Sequence, residues 1–212
     1  MAGSGDGDQG VVVGQQAGLT LGLEDVPRAA ATIARAFHDD ALTVHLYPDE
    51  GERRRLTPLM FEALVRYDCL FGRVDHLPGF AAVATWMRPG ETVETPERLA
   101  AAGFDDLPAD VPLDRLEAFF SSIAPFHEAA APEPHWYLRL LGVDPGSQGG
   151  GLGSVLLTHG LRLADASGRP CYLETFEKRN APFYLRHGFA LVVDETEPAT
   201  GIRVWGFQRP VQ

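Results

Sequence analysis

A chain of 212 residues, 45% apolar and 22% charged, is long enough for one domain with a sizeable core and is too apolar for a disordered protein. Its net charge of −11 argues against a nucleic-acid surface, which needs a basic stripe, and suits a cationic small partner. No run approaches the ~18 apolar residues of a membrane span, and the N-terminus lacks the basic start and apolar stretch of an export signal, so a cytoplasmic protein without membrane contact is expected.

Cys69 and Cys171 stand in no metal or redox spacing and are expected as reduced core thiols. Residues 1–18 hold six glycines and read as a flexible tail. A short strand is expected at 19–23. Glu24 and Asp25 then precede Val26-Pro27, an acidic cap followed by proline in the first helical turn. Val26, Ala29, Ala30, Ile33 and Phe37 recur at helical spacing, so the first helix should end near Phe37. An apolar connection over 42–47 leads to a second helical region at 50–71. Leu56, Leu59, Met60, Ala63, Tyr67 and Leu70 share one face of it. Pro58 interrupts that face, so the helix either starts there with Thr57 as cap or kinks there. Gly72 ends it, and 73–76 with 79–87 read as a strand hairpin stopped by Pro89-Gly90.

The chain then changes character. Helical patterns near 96–102 and 112–130 look like an insertion on the main sheet, closed by Pro132 and Pro134. Residues 135–143 (HWYLRLLGV) are expected as the central strand. A turn follows, then Gln148, Gly149, Gly150, Gly151, Leu152, Gly153 and Ser154, opening onto a helix that Gly168 and Pro170 end. Strand, bare loop and helix start together present unpaired N–H groups where the helix dipole favours an anion. Glycines without a Cβ let a phosphate approach the backbone, so a phosphate-bearing ligand is expected here. A strand at 171–175, a short helix at 180–187 and two strands at 189–194 and 202–207 complete the chain.

Gly149, Gly151 and Ser154 can be laid on the dinucleotide fingerprint G-x-G-x-x-G/A, with Glu174 near the place of a ribose-binding acid. A dinucleotide domain needs further strand–helix units, and only 38 residues follow Glu174. Val143, Pro145, Gln148, Gly151 and Gly153 instead form the pattern V-x-P-x-x-Q-x-x-G-x-G, which resembles the acetyl-CoA pyrophosphate loop of the GNAT N-acetyltransferases. The resemblance continues through Leu173-Glu174-Thr175, Asn180-Ala181-Pro182-Phe183-Tyr184 and His187-Gly188-Phe189. Within that superfamily the chain is most similar to puromycin N-acetyltransferase-like members, in EDVPRA at 24–29, in LETxxxRNxPFYxRxGF at 173–189 and in Trp205. Where those enzymes carry an aromatic residue after the first helix, this chain has Asp40.

The resemblance implies an α/β fold with a mixed, splayed central sheet and helices on both faces. It implies one domain over 19–212, acetyl-CoA as co-substrate, and direct acetyl transfer to a primary amine of a small molecule in a ternary complex. That chemistry needs a base for an amine that titrates near ~10, donors for a developing oxyanion, and a proton donor for a thiolate. Glu174 is the expected base; the alternative is a structural ion pair with Arg179 or Arg186. Tyr184 is the expected acid; the alternative is a packed ring. Asn180 and Phe183 would meet the pantetheine arm, although Asn180 also suits a helix cap. Leu141 and Val143 would contribute main chain to the acetyl group, and residues 148–154 main-chain N–H groups to the pyrophosphate. Phe37, Asp40, Tyr47 and Trp86 form the substrate-side group. His45, His127 and His135 either line an amine site or pack as isolated rings. His38-Asp39-Asp40 finds no third ligand, so no metal is expected. The last strand and the 96–131 segment offer surfaces for a homodimer. A competing class is a non-catalytic acyl-CoA-binding or sensing module, against which the presence of both Glu174 and Tyr184 argues.

Overall fold

The computed structural model describes residues 18–131 and 134–212, so the expected tail, Gly18 excepted, and Pro132 lie outside the described residues. The strands are β1 (Leu19–Thr20), β2 (Arg73–His76), β3 (Ala82–Met87), β4 (Trp136–Val143), β5 (Cys171–Thr175), β6 (Ala190–Thr196) and β7 (Arg203–Arg209). They form one sheet in the order β1-β2-β3-β4-β5-β7-β6, antiparallel throughout except between β4 and β5.

One face carries α1 (Val26–Ala36), α2 (Ala41–Leu46), α3 (Glu50–Phe71) and α5 (Leu113–Ala130), with α4 (Pro96–Ala101) beside α3. The other carries α6 (Leu152–Ala166) and α7 (Ala181–Arg186). The longer helices bury most of the stripe their periodicity marks, which is where most helical stability arises. Two glycines set the approach of helix to sheet. A Cβ on Gly142 would stand 2.8 Å from Ile33 Cδ1, so α1 lies directly on β4. A Cβ on Gly160 would press into the Trp86 indole, so α6 lies directly on β3.

Two expectations need correction. Residues 42–47 are not a plain connection: α2 forms there because the Asp40 carboxylate accepts from the Leu42 N–H at 3.1 Å and Leu42 and Leu46 bury one turn apart. The second helical region neither starts nor is capped at Pro58. Asp49 caps α3 through the Glu52 N–H at 2.8 Å, and the Thr57 hydroxyl donates instead to the Arg53 carbonyl at 2.7 Å. An interior proline costs about 3 kcal/mol or more; burial of Leu56, Met60 and Phe61 around it offsets that cost. The buried face also excludes Leu59 and Leu70, which are 38% and 40% exposed.

The centre of the sheet is irregular in two ways. On β4, Leu138 opposes Trp86 and Leu140 opposes Thr85, so Arg139 is the extra residue of a bulge. Arg139 turns toward α3, where its guanidinium meets Asp68 at 3.1 Å and Glu94 at 2.5 Å. Beyond the bulge, β4 loses its other neighbour. It pairs with β5 only at Trp136↔Cys171 and Tyr137↔Tyr172, and from Leu138 onward the two strands part.

Candidate active site

The glycine loop stands where β4 ends. Asp144 folds the turn, accepting from the Gly146 N–H at 3.0 Å and from Arg35 Nε at 2.8 Å. The Gln148 amide donates to the Val143 carbonyl at 3.2 Å, which ties up its side chain and leaves its main chain facing outward. Gly149 and Gly151 are left-handed, with φ of 83° and 77°, and nothing lies within 4 Å of where a Cβ would stand on either. Gly151 is also the N-cap of α6 and has no side chain to cap with, so no side chain of the cap takes up the first N–H groups of the helix, those of Leu152, Gly153 and Ser154. Gly153 is buried because Val143 Cγ2 and Phe183 Cζ close on it, at 3.4 and 3.6 Å from a Cβ position. The loop is an open cradle of N–H groups at the positive end of a 15-residue helix, which suits a phosphate or diphosphate.

Across the parted strands lies α7. Tyr184 is 8% exposed, its ring packed against Phe189 and Phe207 at 5.9 and 5.7 Å. Burial raises its phenol above the ordinary tyrosine range, and the Asp40 carboxylate raises it further. Asp40 answers to the same field. Burial pushes its carboxyl from 3.8 up to about 6, against the pull of the Leu42 N–H and with a further push from Glu177. Asn180 does not cap α7 with its side chain; its amide donates to Thr175 Oγ1 at 3.0 Å.

Glu174 is paired with neither arginine that the structural alternative offered. Arg179 meets Glu177 instead, at 3.5 Å. The Glu174 side chain is 4% exposed, and its Oε1 meets His127 Nδ1 at 2.9 Å. Its Oε2 is buried with no hydrogen-bond partner among the described residues. His127 in turn reaches His135, Nε2 to Nε2, at 2.9 Å. The rings of Tyr172 and Tyr137 flank His127 at 4.4 and 5.0 Å. Burial first, and the Glu174 charge second, raise both phenols. The sequence offered His127 and His135 as liners of an amine site or as isolated rings, and not as a pair; their pairing depends on α5 returning over β4 and β5, which no local spacing encodes.

Tyr47 and Trp86 fall away from the substrate-side group. Tyr47 is 2% exposed in the α1–α3 core, its hydroxyl against Met60 Sδ at 3.5 Å. Trp86 is 1% exposed under α6, edge-on to Trp136 at 6.4 Å. Both are core because their rings fill the gaps that α2 and Gly160 leave, and neither offers a surface to a ligand. Phe37 is half-buried against Phe61 at 5.7 Å, three residues before Asp40. Leu141 and Val143 are half-buried on β4, past the last pairing with β5. A groove of about 420 Å³ lies on the far side of Pro145, lined by Ala31, Ala34, Arg35, His38 and Arg54, and none of the residues named for transfer lines it.

Residues 118–191 match the family model described as an acetyltransferase (GNAT) domain. That span runs from within α5 through the parted strands, the glycine loop and α7. An uncharacterized N-acetyltransferase of Schizosaccharomyces pombe is 29% identical over 175 residues, covering 78% of this chain and 71% of that one. A mycothiol acetyltransferase of Streptomyces avermitilis is 48% identical over 54 residues, 24% of this chain and 18% of that protein. The fold matches a crystal structure from Corynebacterium glutamicum described as histone acetyltransferase HPA2 and related acetyltransferase. Its TM-score is 0.66 at 24% identity, covering 92% of this chain and 96% of that one.

Proposed function

The chain carries a GNAT acetyltransferase domain, and on that premise we propose that it transfers an acetyl group from acetyl-CoA to a primary amine of a small cationic molecule. The observation that carries the proposal is the gap opened by β4 and β5 after Tyr137↔Tyr172, with the uncapped start of α6 at one end and Tyr184 and Glu174 flanking the other. The main-chain N–H groups of 148–154 would hold the pyrophosphate. The Asn180 amide, fixed on Thr175, and Phe183, beside Gly153, would guide the pantetheine. Acetyl-CoA supplies the thioester carbonyl, and free main chain of Leu141 and Val143 would receive its oxygen.

Glu174 takes the amine proton at Oε2, directly or through a water, because Oε1 is already engaged. Tyr184 donates to the departing sulfur. With its proton held more tightly than in free tyrosine, it stabilises the thiolate by a hydrogen bond rather than by complete transfer, since a thiol near ~8.5 is the stronger acid. Asp40 and Glu177 give the acceptor end a negative field, in keeping with the net charge of −11, and an ammonium is the group such a field attracts. The test is an amine panel, polyamines and puromycin included, followed by CoA release. Tight acetyl-CoA binding with no release across the panel would favour a sensing module instead.

A further inference from the structure

The role of His127 rests on Glu174 being the base. Glu174 Oε1 is held by a helix distant in sequence, and the hydrogens of that contact can be assigned. A carboxylate only accepts, so His127 Nδ1 carries a hydrogen. The Nε2–Nε2 contact with His135 holds one hydrogen: two N–H groups would collide at 2.9 Å, and two lone pairs would not bond. In the neutral pair His127 therefore keeps its hydrogen on Nδ1 and accepts from His135 Nε2–H.

We infer that His127 is a positioning residue for Glu174. Its Nδ1–H fixes the carboxylate so that Oε2 is the oxygen that meets the amine. In the step itself the amine N–H bond breaks and Oε2–H forms. That N–H pair stays on nitrogen, the neutral amine's own lone pair makes the new bond to the acetyl carbon, and the C–S bond breaks with its pair leaving on sulfur as the thiolate. With His127 neutral, Glu174 accepts the proton and keeps its bond to Nδ1–H. The titratable groups facing His127 are Glu174 and Tyr172 from β5, Tyr137 from β4, and His135 before it. Both phenols stay protonated, held up by burial and by the Glu174 carboxylate. The His127 side chain is 21% exposed, so solvent protons reach it.

Two measurements on the full chain test this. The first needs no acceptor: nitrogen-15 spectra of labelled histidines should show His127 as the Nδ1–H tautomer near neutral pH. In Glu174→Ala it should revert to the Nε2–H form that a free imidazole prefers. An unchanged tautomer overturns the inference. The second is kcat/KM with acetyl-CoA and the best amine of the panel, measured for a variant that keeps a donor and one that does not. His127→Gln keeps a donor to Oε1 and should cost about tenfold, with His127→Ala about tenfold worse again and the KM for acetyl-CoA unchanged in both. A His127→Ala enzyme as fast as His127→Gln overturns the inference. If Glu174→Gln turns over normally while His127 keeps its tautomer dependence, the pairing stands and the base assignment fails.

Discussion

The two ends of the parted strands are built on opposite plans. At the α6 end the groups on offer are main-chain N–H, and one stretch of seven residues, exposed from Gln148 to Gly151, supplies them all. At the other end they are side chains, mostly buried, drawn from the turn after α1, from α5, from β5 and from α7. The first end fails if a Cβ intrudes and is indifferent to polar chemistry. The second fails if one oxygen or one phenol is removed and is indifferent to local backbone freedom. Under the proposed function, binding belongs to the first and reaction to the second.

Variants can break that division. Glu174→Gln should give the largest effect, lowering kcat by about 10²–10⁴-fold with the KM for acetyl-CoA little changed, as steady-state kinetics would show. A matching rise in that KM would mean the reaction end also binds cofactor. Tyr184→Phe should follow at about 10²-fold in kcat, the low end of that range because the phenol only shares its proton. Normal turnover in it would return Tyr184 to the packed-ring alternative. Gly151→Val reverses the pattern: acetyl-CoA KM rises and kcat at saturation holds. The left-handed φ of 77° adds about 1–2 kcal/mol of instability, measurable by urea unfolding. A fall in kcat at saturating acetyl-CoA would join the two ends into one unit.

Asp40→Asn should be the mildest. Asp40 ionises with more difficulty folded than unfolded, so the folded chain binds the extra proton between the ordinary value of 3.8 and about 6. Wild-type stability therefore drops as pH rises through that window. The Asn variant, which still caps α2, should melt higher than wild type above about pH 6 and converge with it below about pH 4. Parallel melting curves across pH would remove Asp40 from the charged acceptor end.

Legibility from sequence follows the same division. The glycine loop could be read in one dimension because its function is main-chain geometry, and Gly149 and Gly151 stand in the left-handed conformations that glycine permits. The strands and long helices were readable from period alone. The reaction end was readable only in part. Glu174 and Tyr184 came through a resemblance, but His127 lies 47 positions from Glu174 and acquires its partner only when α5 folds back. Tyr47 and Trp86 misled because an aromatic ring near a turn or on a strand looks the same in sequence whether it lines a cavity or fills the core. Residues 42–47 misled because six residues are too few to display a helical period, and the cap that decides the matter is one carboxylate.

The gap between β4 and β5 also makes the sheet an unfinished object. β4 and β5 hold each other at two positions and then leave the β5-facing edge of β4 open, while its other edge stays paired with β3. A molecule lying along that edge would do the work of a missing strand, stitching two half-sheets that otherwise meet at one corner. The free protein should breathe along this seam first, with those amides of 138–143 that face away from β3 among the faster to exchange their hydrogens, and the melting temperature should climb with the logarithm of acetyl-CoA concentration. The acyl donor would then be, in mechanical terms, the eighth strand of the sheet.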